Sequence, residues 1–457
     1  MTIANVNRVI ELFAGAFAAL RARATMPQIE RMAVTVHCAM ENKRRAYHKS
    51  AHVFQLCEGM NPRQVLAALF HDVVYYQLDG GYPQHAAVAL EGVALNRGGE
   101  LILPETGKDD PALQLCAGIF GFQPGQVLRL SSGMNEFLSA ALAARLLLPY
   151  LQTRDLIAVV ACIEATVPFR GTDHYGRDMA AALADRVSEQ SRKLLGKVSG
   201  DEIDRHTAEV LGDAIKLANR DVAGFEEPNP GKFLVETWQL IEESNAPLDA
   251  VGVYTLRDYR IALSRMEKFY GALNPENIFH QFNSFPGDAE FARLKEAAGK
   301  NIVFACGFLG AKIAAIAIIE ALALETGGDC PVSMFLGDIR SHGGKPDRAE
   351  DFLPPSKAAP DISEQLLQVL KKGRTDASNN DLNESPLTSF MYGYLGHDGT
   401  AKALRLAKRM FESELSAFDF LKGLDREMIS AIIGACAKIA TSRRDALLKL
   451  QTTLFKS

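Results

Sequence analysis

The sequence predicts an all-α fold, and three observations support this prediction. Apolar residues recur at helical spacing, as Leu66, Leu69 and Val73 do. Asn61 followed by Pro62 is a typical start for that helix, because Asn caps free N–H groups and Pro fits the first helical position. Strand-like alternation of polar and apolar residues is scarce. The same helical pattern predicts further helices at Asn7–Arg23, Asn135–Gln152, Arg154–Thr166, Asp201–Val222, Leu256–Leu273, Asp288–Ala298 and Asn301–Glu325.

The chain of 457 residues is longer than one hydrophobic core usually serves. We therefore predict two domains, residues 1–250 and 251–457. Residues 79–133 are rich in Gly and Pro and interrupt the helical pattern, which predicts an insertion between core helices. The second domain is expected to be mainly helical, with no chemistry visible in its sequence, and to act as a partner domain, a lid or a surface for homodimerisation.

The charge composition excludes a general nucleic-acid binder. Basic residues number 50 against 55 acidic ones, which leaves a net charge of −5, and neither half contains a long basic stripe. Apolar residues at 47% and charged residues at 23% are ordinary proportions for a globular protein.

The cysteine pattern and the N-terminus predict a cytoplasmic protein. The seven cysteines are scattered without a Cys-x-x-Cys pair, which favours buried thiols in a reducing compartment. The N-terminus lacks the pattern of a signal peptide. The most apolar stretch, Ile302–Leu324, is interrupted by Lys312 and Glu320, so we expect a buried core helix and no membrane partner.

A cluster of histidines near the N-terminus is the strongest functional signal. His48, His52 and His71 lie within 25 positions of a chain that has only ten histidines. On a helix His48 and His52 would share one face with Leu56, which points inward. Either imidazole alone is more typical of a buried core histidine than of a ligand. The pair His71-Asp72 ends the next apolar helix and places an imidazole beside a carboxylate.

A distant carboxylate completes this cluster. Asp221 follows Val210, Ala214 and Leu217 on the apolar stripe of its helix, and a carboxylate on a buried face requires a cation or several donors. A salt bridge or a solvated helix end would also satisfy it. Mixed imidazole and carboxylate ligation suits Mn, Fe, Zn, Ni or Mg, as one or two ions. We predict a site formed by His52, His71, Asp72 and Asp221.

Two motifs carry a resemblance to a known family. Arg45-Ala46-Tyr47-His48 with His52, followed by Phe70-His71-Asp72, resembles the HD superfamily of metal-dependent phosphohydrolases, especially its bacterial branch. Three later pieces occur in the order of that branch and complete a resemblance over roughly residues 30–225: Asn135–Ala140, Ala161–Thr166 and Asp221–Gly224.

The resemblance implies a role for each motif residue. The metal ligands would be the four residues named above, and a metal-activated hydroxide would attack phosphorus. His48 resembles the histidine that protonates the leaving oxygen, Glu136 would orient or deprotonate the attacking water, and Arg45 would hold phosphate oxygens. The chain departs from the family in its long insertion. It also has Phe169-Arg170 where many members carry a histidine.

The function expected is therefore divalent-metal-dependent hydrolysis of a small phosphorylated molecule, possibly a nucleotide. One alternative is a di-iron oxygenase, which would need further ligands such as His85 or His174. The other alternative is a non-catalytic regulatory module with a structural metal.

Overall fold

The fold is all-α, as predicted. The computed structural model describes residues 4–105, 109–249, 253–338, 347–355, 359–375, 381–382 and 384–456. Within these ranges the regular elements are nineteen α-helices, several single-turn 3₁₀ segments and one two-stranded antiparallel hairpin.

The elements run in chain order as follows. The first ten helices are α1 Asn5–Ala19, α2 Met26–Met40, α3 Ser50–Cys57, α4 Pro62–Phe70, α5 Tyr76–Asp79, α6 Pro111–Phe120, α7 Met134–Leu147, α8 Thr153–Ala165, α9 Met179–Leu194 and α10 Gly200–Asp221. The hairpin between α5 and α6 is β1 Leu95–Arg97 and β2 Glu100–Ile102. The remaining helices are α11 Pro230–Ser244, α12 Leu256–Ala272, α13 Asp288–Thr326, α14 Val332–Leu336, α15 Glu364–Lys372, α16 Pro386–Phe411, α17 Ala417–Lys422, α18 Arg426–Ile439 and α19 Arg444–Leu454.

The chain divides into two compact units, with a boundary that differs from the predicted one. The first unit contains residues 1–226 and 274–298, and the second contains residues 227–273 and 299–457. The break therefore coincides with the Pro- and Gly-rich sequence that precedes α11 rather than with residue 250. Residues 274–298 belong to the first unit, and within them both backbone groups of His280 pair with the Asn219 side chain, each at 2.8 Å.

Helix α8 is the centre of the first unit. All of its residues from Leu156 to Ala165 are buried, and α4, α7, α9 and α10 pack against it. A helix that is mostly apolar and buried on every side is stable only when neighbours surround it. Since α4 and α10 share this central helix, the residues at their C-terminal ends, His71 and Asp221, lie close together.

The insertion between α5 and α7 contains more structure than its composition predicts. Helix α6 buries most of its side chains against α7, α8 and α9. The hairpin turns at Gly98 and Gly99, which have φ angles of 63° and 90°. Helix α6 was missed because its apolar residues show no amphipathic period, as expected of a helix buried on several sides.

Helix α13 joins two predicted helices into one of 39 residues. By length and composition it could cross a membrane, with a window of mean hydropathy 2.4, but 78% of that window is buried inside the protein. The two charged residues within its apolar stretch are paired, since Lys312 Nζ lies 2.8 Å from Asp381 and Glu320 lies 2.9 Å from Arg260. The prediction of a buried helix over Ile302–Leu324 is confirmed.

Gly133, which caps the N-terminus of α7, offers a test of this packing. Its φ is 83°, and a Cβ there would lie 2.4 Å from Cγ2 of Val167. We expect Gly133→Ala to lower the free energy of unfolding by about 2 kcal/mol or more, from left-handed strain and overpacking. Gly15→Ala in α1 is the control, because nothing lies within 4 Å of its added Cβ. It should be neutral or stabilising in thermal and urea denaturation, and equal effects of the two changes would contradict the packing described.

Candidate metal centre

His52 and His48 occupy different kinds of backbone. Helix α3 begins at Ser50, so His52 lies in its first turn and His48 precedes it. The prediction that both histidines share one helical face is therefore wrong. His48 instead lies against Tyr75, with ring centroids 4.7 Å apart, and its ring is 6.5 Å from that of His52. It borders the cluster without belonging to the same helix.

His71 is held at the end of α4 by local hydrogen bonds. The helix begins with a capping box between Asn61 and Gln64 and ends at Phe70, with His71 as its C-terminal cap. Nδ1 of His71 lies 2.9 Å from the carbonyl oxygen of Ala68, so Nδ1 carries the hydrogen and donates it. Nε2 therefore faces the cluster, where it can hold a proton or offer its lone pair to a metal ion.

Asp221 is the last residue of α10, and Val210, Ala214 and Leu217 are fully buried on the same stripe, as predicted. Its Oδ1 lies 2.9 Å from Nε2 of His52 and 3.4 Å from Nε2 of His71. A carboxylate at a helix C-terminus faces the negative end of the helix dipole. Compensating positive charge is therefore needed at this position.

Three of the four predicted ligands form one group of closely spaced donor atoms, and Asp221 lies against the two histidines of that group. Oδ2 of Asp72 lies 2.9 Å from Nε2 of His71, and ligand atoms of His52, His71 and Asp72 all lie within 4.8 Å of one another. With metal–ligand bonds of about 2.1 Å, neighbouring ligand atoms are about 3.0–3.4 Å apart. The distances of 2.9 Å from His71 to Asp72, 2.9 Å from His52 to Asp221 and 3.4 Å from His71 to Asp221 are of this size.

The buried Nε2 of His71 needs a positive charge beside it, either a proton or a metal ion. Nε2 of His71 is buried and has no hydrogen-bond partner of acceptable geometry, although two carboxylate oxygens lie within 3.4 Å. An imidazole lone pair facing carboxylate oxygens is repulsive unless a proton or a metal ion lies between them. A divalent ion would fit this set of donors.

The shifted pKa values of His71, Asp221 and Asp72 also show that negative charge from the carboxylates and positive charge from the imidazoles stabilise each other here. Burial alone would lower the pKa of His71, but Asp72 and Asp221 raise it well above its ordinary value. Burial would raise the pKa of Asp221, yet His71 and His52 lower it to about 2. The pKa of Asp72 is likewise lowered, against its burial, chiefly by His71 and His48. The carboxylates are therefore ionised and available as ligands at neutral pH.

Glu136 has a different environment from these carboxylates. It lies in the first turn of α7 and is half-buried. Burial raises its pKa to about 7, with a smaller contribution from the charge of Asp72, while Arg170 and His71 act in the opposite direction. A carboxyl that titrates near neutrality is suited to accept or donate a proton.

Two residues beside Glu136 hold the turn that follows Asp72. The Asn135 side chain accepts a hydrogen bond from the backbone N–H of Tyr76 at 3.1 Å, and the Ser139 hydroxyl accepts one from that of Val74 at 3.0 Å. The sequence motif contained both residues but did not show this function. A side chain that binds backbone has no periodic signal in the sequence.

Arg45 does not have the role that the resemblance implies. The residue is 1% exposed, and its N–H groups bind the Asp79 carboxylate and the backbone carbonyl oxygens of Asp72 and Val73. The remaining N–H faces Sδ of Met40 at 3.2 Å. All five donors are used inside the protein, so Arg45 is not a phosphate ligand.

The additional histidines considered for a second metal lie elsewhere. His85 and His174 are exposed, and His52, His71 and Asp72 form the one group found among the described residues whose side chains are spaced so that they could hold a metal ion. Arg170, which follows the Ala-Thr step, pairs with Glu164 rather than with a ligand.

His280 lies near enough to Arg170 for that charge to affect its pKa, although the sequence gave no reason to assign His280 a role. Its backbone pairs with Asn219, two residues before Asp221. Burial and the charge of Arg170 lower its pKa to about 4, against the opposing charges of Asp178 and Glu164. The imidazole is therefore neutral in the folded protein at neutral pH.

Comparisons with known proteins give no assignment for this chain. Neither the protein-family models nor the curated proteins nor the solved structures that were searched contain a significant match. The functional interpretation therefore depends on the geometry and on the sequence motifs.

The buried imidazole of His280 predicts a pH dependence of stability. Because its folded pKa is lowered, its contribution is complete above the unfolded value of about 6.5 and is lost as the pH falls toward about 4. The loss should reach about 2–3 kcal/mol for the wild type. Thermal unfolding of His280→Gln should show a shallower decline over that range. His174→Gln, at an exposed histidine, should keep the wild-type slope, and an unchanged slope in His280→Gln would refute the assignment.

Proposed function

We propose that the first unit is an HD-type metal-dependent phosphohydrolase that acts on a small phosphorylated molecule. The observation that carries this proposal is the meeting of two imidazoles and two carboxylates at the ends of α3, α4 and α10, where the buried Nε2 of His71 faces carboxylate oxygens without a hydrogen-bond partner. His52, His71, Asp72 and Asp221 would hold the ion. The HD-type motifs support the same ligand set.

A bound divalent ion would supply a Lewis acid and lower the pKa of a coordinated water toward neutrality, which provides a nucleophile for phosphorus. The side chains of the protein would fix the position of this ion. His71 closes the inner side, with 1% of its side chain exposed, while His52, Asp72 and Asp221 remain 13–15% exposed. A substrate phosphate therefore has access from one side.

Two residues at the border of the cluster are suited to proton transfer. Glu136 would accept a proton from the attacking water, because its carboxyl has a pKa of about 7. His48 would donate a proton to the leaving oxygen, because an imidazole titrates near neutral pH and this ring lies beside His52 and Tyr75. With Arg45 occupied by the protein itself, the metal ion would be the main group that binds phosphate oxygens.

Asp72→Ala tests the central claim. The wild type should contain stoichiometric metal by elemental analysis and hydrolyse at least one member of a panel of nucleotides, cyclic dinucleotides and sugar phosphates with Mn²⁺, Mg²⁺, Ni²⁺ or Co²⁺. The variant should lose the metal and about 100-fold or more of the activity, because a ligand is missing. His85→Ala is the matched control, since His85 lies on the surface. If Asp72→Ala keeps both metal and activity, the proposal is wrong.

Glu136→Gln tests the proton acceptor. A base works when ionised, so kcat of the wild type should rise with pH through a midpoint at or below about 7, because a bound cation favours the ionised carboxylate. The variant should lose that limb of the profile and about 100-fold in kcat or more, while it still binds the metal. An unchanged pH profile in Glu136→Gln would remove Glu136 from the mechanism.

A further inference from the structure

The segment from Asp72 to Tyr76 carries a proposed ligand but has few hydrogen bonds of its own. It lies between the end of α4 and the start of α5, where helical hydrogen bonding stops. Buried backbone groups need partners, and an irregular segment must obtain them from side chains. The position of Asp72 therefore depends on groups outside the segment.

Side chains from opposite sides supply those partners. Nη1 of Arg45 donates to the carbonyl oxygen of Asp72 at 2.7 Å, and Nη2 donates to that of Val73 at 3.0 Å. The Ser139 hydroxyl accepts the N–H of Val74 from the α7 side at 3.0 Å. The backbone on both sides of the Asp72 side chain is thus fixed.

Arg45 is itself fixed by Asp79. The Asp79 carboxylate binds Nε and Nη2 of Arg45 at 3.3 and 2.6 Å, and it also accepts a hydrogen bond from the Asn42 side chain at 2.9 Å. The side chains of Arg45 and Asp79 are 0% and 3% exposed. A buried ion pair often stabilises a fold no better than apolar residues of the same size, so stability alone does not explain its presence.

The Arg45–Asp79 pair also connects the segment that carries His52 to the segment that carries Asp72. Arg45 belongs to the segment that enters α3, three residues before His48 and seven before His52. Through its guanidinium this segment is bound to the backbone of Asp72. Residues that orient metal ligands from behind typically change metal affinity by about 10–100-fold when they are replaced.

We propose that Arg45 and Asp79 are positioning residues that set the metal affinity of the site by fixing Asp72 relative to His52. This inference rests on the proposed metal site. It does not depend on the identity of the substrate or on hydrolysis. It assigns Asp79, which no sequence motif indicated, to the same site.

Arg45→Lys and the double variant Arg45→Met/Asp79→Leu test this role in the full-length, chelator-treated protein. Lysine keeps the charge opposite Asp79 but lacks the planar fork that reaches two carbonyl oxygens. The double variant removes both buried charges together, so no unpaired charge remains. Asp110→Asn is the matched control, since Asp110 pairs with Arg145 at 2.6 Å in the same unit.

Calorimetric titration with Mn²⁺ and the visible absorption of added Co²⁺ provide readouts that do not require turnover. Both test variants should remain folded by circular dichroism, bind Mn²⁺ about 10–100-fold more weakly than the wild type, and give an altered Co²⁺ spectrum. Asp110→Asn should bind with wild-type affinity. Wild-type affinity and an unchanged spectrum in the double variant would overturn the inference.

Failure of the proposed function would give a different result. If the wild type binds metal and the two variants bind it weakly, but no phosphate ester is hydrolysed, the positioning role stands and the hydrolase proposal fails. If the wild type binds none of the ions, both proposals are overturned.

Discussion

The contact between the imidazole of His71 and two carboxylates is the constraint on which the first unit depends. A buried neutral nitrogen cannot face ionised oxygens without a positive charge between them. In the protein alone a proton fulfils this requirement, because Asp72 and Asp221 raise the pKa of His71 well above its ordinary value. A divalent ion would fulfil it with all four donors at once. Ligand binding and proton release at this position are therefore linked, because an ion and a proton compete for the same lone pair.

The helical architecture explains why such a contact forms at the ends of elements. The interior of α8 is buried on every side, and α4, α7, α9 and α10 assemble around it. Helix interiors satisfy their own backbone groups, whereas the last turn does not. Polar side chains at these ends can therefore meet one another without disturbing the core. The side chains of Arg45, Asn135 and Ser139 then replace the missing helical bonds around Asp72.

Sequence reasoning identified the cluster better than its surroundings. The apolar stripe of α10 and the order of the motifs predicted that Asp221 would join His52, His71 and Asp72, and the four side chains do lie together. The prediction that His48 shares a helical face with His52 was wrong, because α3 starts at Ser50, two residues after His48.

Other features depend on long-range contacts that a single sequence does not reveal. A motif arginine has the same appearance whether it binds a phosphate or its own backbone, and the partner of Arg45 lies 34 residues away at Asp79. Helix α6 has no amphipathic period in the sequence, and the return of residues 274–298 to the first unit, where His280 pairs with Asn219, has no signal in the sequence. The function and the ion remain predictions.

The divided first unit has a consequence for synthesis of the protein. Residues 274–298 belong to it, although 47 residues of the second unit, 227–273, precede them in the chain. Domains generally fold as units while the chain grows from its N-terminus. The ribosome must therefore add a piece of the second unit before the first can be completed, and the backbone partners of Asn219 are absent until then. A chain released before residue 280 would leave the end of α10, and Asp221 with it, without this support.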